Sequence, residues 1–382
     1  VIVAKIAAVI VGTVVVMSVL ISALETVVLP RGFTHIGRFA FAVADRVLIH
    51  RWGSREREDN LRALYAPIAL VSLPLIWMLT VLLGFSLIFW GISHDTAQRA
   101  FEISGSSLLT LGFAEPPGTA RIALSFVEAT IGLGLVALLI SYLPTIYAAH
   151  RGRGNGISRL RPFAGSPAAP VPLLSNLHRS SSLDSPELWQ AMVTWLLELE
   201  QTHTSFPALA YFPESQPGQS WVASVGTMLD GTALLLSVSD STDEEHAVEG
   251  LKGSMLALAN GIPAVVRIGR AAGLPIGPPV LLADLMGSWS QPAPSVSVRR
   301  EEYLAALDEL GSVVDVPEGE RERCWQRFAW IRSGYDRALR GLAGLTRAHP
   351  SPWTTDRPAE VGRPRILVRR PIRVDWTVHD PG

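Results

Sequence analysis

The chain has 382 residues, 48% of them hydrophobic, and a formal net charge of -1. With a mean hydropathy of +0.28 it is too apolar for an ordinary soluble protein of this length, and its near-neutral balance gives no footing for nucleic-acid binding. Cys324 is the single cysteine, which excludes an intrachain disulfide and any cysteine-rich metal site.

The apolar excess lies before residue 150. Residues 1–30 are almost all Val, Ile, Ala and Leu, with Lys5 and Glu25 as the charges, and at about 1.5 Å per residue they cross a hydrocarbon core of about 30 Å. A cleaved secretory signal is the alternative, with Ser22-Ala23 as a cleavage mimic, but the run exceeds the roughly 7 to 15 residues of a signal core. Residues 31–65 are Arg-rich, and from His35 to Trp52 the apolar side chains recur at helical steps, as in a helix lying along an inner leaflet. A solvated connector is the plainer reading of that stretch.

Residues 66–150 hold two further spans. One covers residues 66–92 and ends in Phe89 and Trp90; the other covers 119–149 and ends near Tyr142 and Tyr147, aromatic residues suited to an interface. Arginines crowd the 31–65 segment and the stretch after residue 150, whereas the loop between these spans carries Arg99 and Arg121. The positive-inside rule then places the N-terminus outside, the Thr110 loop outside and the C-terminal region in the cytoplasm of a bacterial inner-membrane protein.

Between the two spans, residues 96–109 are too short to cross a bilayer and long enough for a half-membrane helix, whose negative C-terminal end would favour a cation. Residues 110–114 follow as Thr110, Leu111, Gly112, Phe113 and Ala114. Backbone carbonyls exposed at membrane depth need a partner, and four copies around one axis would present rings of oxygens to a dehydrated cation. This order of span, half-helix, Thr-Leu-Gly-Phe and Gly-containing span resembles the pore domain of potassium channels, whose filter reads Thr-Val-Gly-Tyr-Gly-Asp or its Phe variant. Glu25 to Gly32 and Glu128 to Tyr147 look like a bacterial subgroup with an extra leading span, described as ion-channel or two-pore-domain-like proteins.

The resemblance implies an all-α membrane fold, a homotetramer in the lipid bilayer, and potassium bound by Thr110, Leu111, Gly112 and Phe113, with no other cofactor. Two departures stand out. Ala114 replaces the second filter glycine, where a positive φ would be strained, and Phe101 is the half-helix's one aromatic where many potassium channels carry paired tryptophans.

In the 119–149 span, Gly132, Gly134 and Pro144 are candidate gate hinges, with close helix packing as the other reading of the glycines. Glu128 is an ionisable group inside the span, a functional candidate that could brace the filter through Ser104, Ser106 or Ser107; a satisfied structural carboxyl is the alternative.

Residues 151–185, rich in Gly, Pro, Ser and Arg, read as a linker. Ser185-Pro186-Glu187 then opens a helix, beginning a mainly helical domain over 186–346 with further helices near 244–260, 297–312 and 318–346. The apolar run 221–238 contains Asp230 and reads as a buried helix or strand pair in preference to another span. Cys324 falls at helical spacing with Phe328, Ile331, Tyr335, Leu339 and Leu342, as a core thiol would. His203 and His246 stand alone, and neither Gly-x-Ser-x-Gly nor a phosphate-cradling loop occurs, so an enzyme is not expected. Residues 347–382 form a basic tail. The expected function is a tetrameric cation channel, potassium first, with a cytoplasmic domain open to an unidentified ligand or partner. The competing expectation is a non-conducting receptor or scaffold that keeps a degenerate pore hairpin.

Overall fold

The computed structural model describes residues 2–27, 55–93, 95–212, 219–239, 250–346 and 348–357; over these the chain is helical, with no strand. The amphipathic segment 35–52, the Glu25 side chain, His246 and residues 358–382 of the basic tail lie outside this description. Among the described residues, four helices are long and apolar enough to cross a membrane: Ile2–Leu24, Pro74–Ile92, Thr119–Ala164 and Trp221–Val238.

Helix α1 (Ile2–Val27) packs against α2 (Arg55–Ile92), which begins well before the residue 66 expected for its span. The two are antiparallel: Lys5 Nζ donates to Ser93 O, while a Cβ on Gly84 would lie 2.7 Å from the Val16 side chain. Their backbones touch at Gly12 and Gly91, where an added Cβ would lie 2.5 Å from Gly84 O and 2.6 Å from Lys5 O respectively. Small residues at helix crossings of this kind allow dispersion contacts that larger ones would hold apart.

A short helix, α3 (Ala97–Leu108), follows, and then α4 (Thr119–Ala164), 46 residues long. At about 1.5 Å per residue α4 extends roughly 70 Å, more than twice the thickness of a hydrocarbon core of about 30 Å. The linker expected over 151–185 is therefore corrected: residues 151–164 continue α4, and 170–179 form a separate helix, α5 (Pro170–Arg179). Glycines and arginines suggested flexibility, but Ile157, Leu160 and Ala164 fall on one stripe and enter the core of the C-terminal domain. Tertiary burial overrides weak local propensity here.

That domain is built from α6 (Pro186–Ser205), α7 (Trp221–Val238), α8 (Leu251–Ala271), α9 (Leu282–Gly287), α10 (Arg300–Glu309), α11 (Arg321–Ser333) and α12 (Asp336–Thr346). Ser185 caps α6, its hydroxyl accepting from Leu188 N, with Pro186 in the first turn as expected. Helix α7 is the centre: all 18 of its residues are buried by protein, so its apolar composition serves a core. The helix expected at 244–260 lies later, at Leu251–Ala271, and the 318–346 helix divides into α11 and α12 around Gly334 and Tyr335. Cys324 is buried on α11. The tail begins later than residue 347, since Ser351, Trp353, Thr354 and Thr355 are buried against the domain and the Trp353 ring meets Phe328 edge-on at 5.6 Å.

Helix α4 is locked into the domain at Arg153. The buried guanidinium donates to Leu209 O and Phe212 O at 2.8 Å each, and Trp195 Nε1 donates to Arg153 O at 3.1 Å. Trp195 crosses α4 at Gly156, where a Cβ would sit 2.1 Å from the indole. Beside this junction His203 is buried, its Nδ1 3.0 Å from Leu199 O and its ring 4.8 Å from Trp221. Burial, joined by the Arg153 charge, holds the imidazole down at about 3, from an ordinary 6.5. Because the folded value is depressed, its stabilising contribution is full above the unfolded value and is lost as pH falls from there toward the folded one. At pH 5 that loss is about 2 kcal/mol. The purified chain is expected to melt at lower temperature at pH 5 than at pH 7.5, and His203→Phe to narrow the gap; an unchanged gap would exclude His203 as its source.

Candidate functional site: a half-helix and loop between two long helices

Thr96 begins α3, its hydroxyl accepting from Arg99 N, and Ala97–Leu108 matches the half-helix expected at 96–109. The start of α3 lies near the start of α4, where Arg121 pairs with Asp95 at 3.7 Å. Its end lies beside Gly132, whose Cα is so close to Leu108 O that a Cβ would stand 2.3 Å from that oxygen. Gly132 is 13 residues beyond Thr119, or roughly 20 Å along α4 at about 1.5 Å per residue. The chain thus descends beside α4 as helix and returns to its start through residues 109–118. It is not a continuous helix, and it does not stay at the ends of its neighbours.

The turn at the bottom has a defined bond pattern. Thr110 N donates to Ser107 O at 3.0 Å and Leu111 N to Ser106 O at 2.8 Å, a Schellman closure with Thr110 as its left-handed residue. Thr110 has φ 54° and Gly112 φ 73°. Left-handed backbone is ordinary for glycine and strained for a β-branched residue. The strain expected at Ala114 is therefore found at Thr110, four residues earlier; Ala114 does not share the positive φ. Instead Ala114 is buried, and its N–H donates to Ser106 Oγ at 3.0 Å.

Among the described residues, no hydrogen bond is donated to the carbonyls of Leu109 through Phe113. The Leu111 and Phe113 side chains are 61% and 66% exposed.

The supporting residues divide. Ser106 holds the returning strand through both its hydroxyl and its carbonyl, as above. Ser107 turns its hydroxyl back to Ile103 O at 2.9 Å and offers the loop only its carbonyl. Glu128 is fully buried and lies 2.5 Å from Ser104 Oγ, with Ser104 also 3.0 Å from Leu82 O on α2. Of the candidate hinges, Gly132 is a contact point, Gly134 has no heavy atom within 4 Å of a would-be Cβ, and Pro144 lies exposed inside an uninterrupted α4. The Leu82 carbonyl and Thr110 as the strained residue had no local sequence signal.

One more pattern belongs to the site. On α4, exposed positions return every seven residues in three rows: Ala123, Thr130, Ala137 and Pro144; Val127, Gly134, Ser141 and Ala148; Phe126, Leu133 and Ile140. A seven-residue repeat keeps one helix face toward a common axis when copies associate. Among the described residues no group of acidic, histidine and cysteine side chains is arranged to hold a metal ion. Compared with protein-family models, curated proteins and solved structures, the chain matches none.

Proposed function

We propose that the chain is the subunit of a homotetrameric channel that passes monovalent cations, potassium foremost, through the inner membrane of a bacterium. The observation that carries this reading is the row of unbonded carbonyls from Leu109 to Phe113, borne on non-helical backbone between two bilayer-length helices. Backbone of this kind is tolerated at membrane depth only where protein buries it or water and ions reach it. The end of α3 adds the negative pole of a helix dipole at the same place, and selectivity would come from carbonyl number and spacing. The seven-residue rows on α4 supply the face that four copies would turn inward, with Ala123, Thr130, Gly134, Ala137 and Ser141 leaving a lumen. The N-terminus and the loop would then face outward and the helical domain inward.

The non-conducting alternative draws on the Schellman closure. The carbonyls of Ser106 and Ser107 are already occupied, so part of the dipole end of α3 is capped within the subunit. Reconstitution separates the two. Vesicles carrying the full chain and loaded with potassium are expected to release it down a gradient, and Gly112→Asp to reduce release to the level of empty vesicles. No release from the unaltered chain, or a monomer or dimer in detergent, would favour the scaffold.

A further inference from the structure

We infer that Glu128 is a hydrogen-bond donor: its neutral carboxyl holds α3 against α2 and α4 through Ser104 and thereby positions the ion-binding loop. The argument is a count of hydrogens. Two close oxygen–oxygen contacts meet at the Ser104 hydroxyl, 2.5 Å to Glu128 Oε1 and 3.0 Å to Leu82 O. Each contact needs a hydrogen between its oxygens, and a serine hydroxyl has one. The Leu82 carbonyl has none to give, and it already accepts from Ser86 Oγ at 2.7 Å. The second hydrogen comes from Glu128. The carboxyl donates to Ser104, and Ser104 donates to Leu82, so one line of bonds runs from α4 through α3 to α2.

The surroundings agree. Glu128 is fully buried, its Oε2 has no partner among the described residues, and no basic side chain there bonds it. The nearby charged groups on the packed helices are engaged elsewhere, Arg121 with Asp95 and Arg99 with Glu102 at 3.3 Å. An ionised carboxylate would bear a buried charge with a bare oxygen, a heavily penalised state. Ser104 precedes Ser106 by two residues, and Ser106 holds Leu111, Gly112 and Ala114. Glu128 bonds Ser104 and no residue of the loop; it is a positioning residue, fixing the helix from which the loop hangs.

The consequence for ion flux rests on the channel reading, but the donor itself does not, and the test reads both. Infrared spectra of the full-length chain in phosphatidylethanolamine and phosphatidylglycerol vesicles at neutral pH are expected to show the C=O stretch of a neutral carboxylic acid that is missing in Glu128→Gln. In the same vesicles Glu128→Gln, whose amide also donates, keeps the preference for potassium over sodium. Glu128→Ala and Ser104→Ala, which break the line, lower that preference roughly tenfold, as losing one buried hydrogen bond does. Absence of the neutral-acid band overturns the donor, whatever the flux. Equal preference in Glu128→Ala and the unaltered chain overturns the positioning role. A band without any ion release upholds the donor and removes the channel reading.

Discussion

Gly132→Val is expected to reduce potassium release to background while Gly134→Ala leaves it intact, although the two glycines lie two residues apart on one helix. A Cβ at Gly132 would meet Leu108 O at 2.3 Å, Leu108 Cδ1 at 3.0 Å and Leu108 C at 3.2 Å. Two of those atoms are backbone, which cannot swing aside as a side-chain end can. Accommodating a valine moves the end of α3, and the loop from Leu109 to Phe113 moves with it. Overpacking of this kind costs about 1–3 kcal/mol. On the proposed channel reading the larger effect falls on coordination, because a ring of carbonyls would discriminate ions by their number and placement. At Gly134 no heavy atom of the subunit stands within 4 Å, and alanine is a better helix former by about 1 kcal/mol. Ion-release assays on both variants, with thermal melting to confirm folding, distinguish a contact glycine from a hinge. Normal release from a folded Gly132→Val would remove the loop from the conduction path. Blocked release in Gly134→Ala would mean that this position is needed as a hinge or is met by another copy.

The local features of the fold were readable because they are written in neighbouring residues. Ser185-Pro186 before Leu188 is a capping pattern complete within four positions, and the helix starts there. Likewise Asp230 within the apolar 221–238 run gave a buried helix or strand pair, and the run is a buried helix, though nothing local showed that it would be the centre of the domain. Features set by distant partners were hidden. Nothing near Gly156 shows that Trp195 lies across it, so the arginine- and glycine-rich stretch read as a linker. At the site, the order of elements was within reach, and Glu128 was set against Ser104, Ser106 or Ser107, of which Ser104 is its partner. The strain was misplaced because the Schellman closure at the end of α3 puts its left-handed residue at Thr110, where glycine is the usual occupant. The link between Asp230 and Arg332, which are separated by 102 positions, was hidden by distance.

That buried pair sets the second large effect. Arg332 on α11 is fully buried: it donates through Nη1 to Asp230 on α7, through Nε to Asp336 at 3.0 Å, and through Nη2 to Trp353 O at 2.8 Å. Tyr335 completes the Asp230 carboxylate with a 2.7 Å bond. One guanidinium therefore joins α7, α11, α12 and the segment after α12. Removing one partner of a buried pair costs about 3–5 kcal/mol because a charge is left behind. The two single removals should differ. Asp230→Leu leaves Arg332 with Asp336, whereas Arg332→Met leaves the fully buried Asp230 with Tyr335 and Thr354 alone among the described residues, while Asp336 keeps Ser297 and Arg340. Arg332→Met is thus expected to lower the denaturation midpoint of the domain more than Asp230→Leu. Combining them should recover much of the loss, since apolar residues of similar volume can replace a buried pair at little net cost. Tryptophan fluorescence during urea unfolding of the four proteins gives the coupling directly. Additive losses in the double variant would show that the two side chains stabilise the domain separately, and that α7 is held to α11 by packing alone.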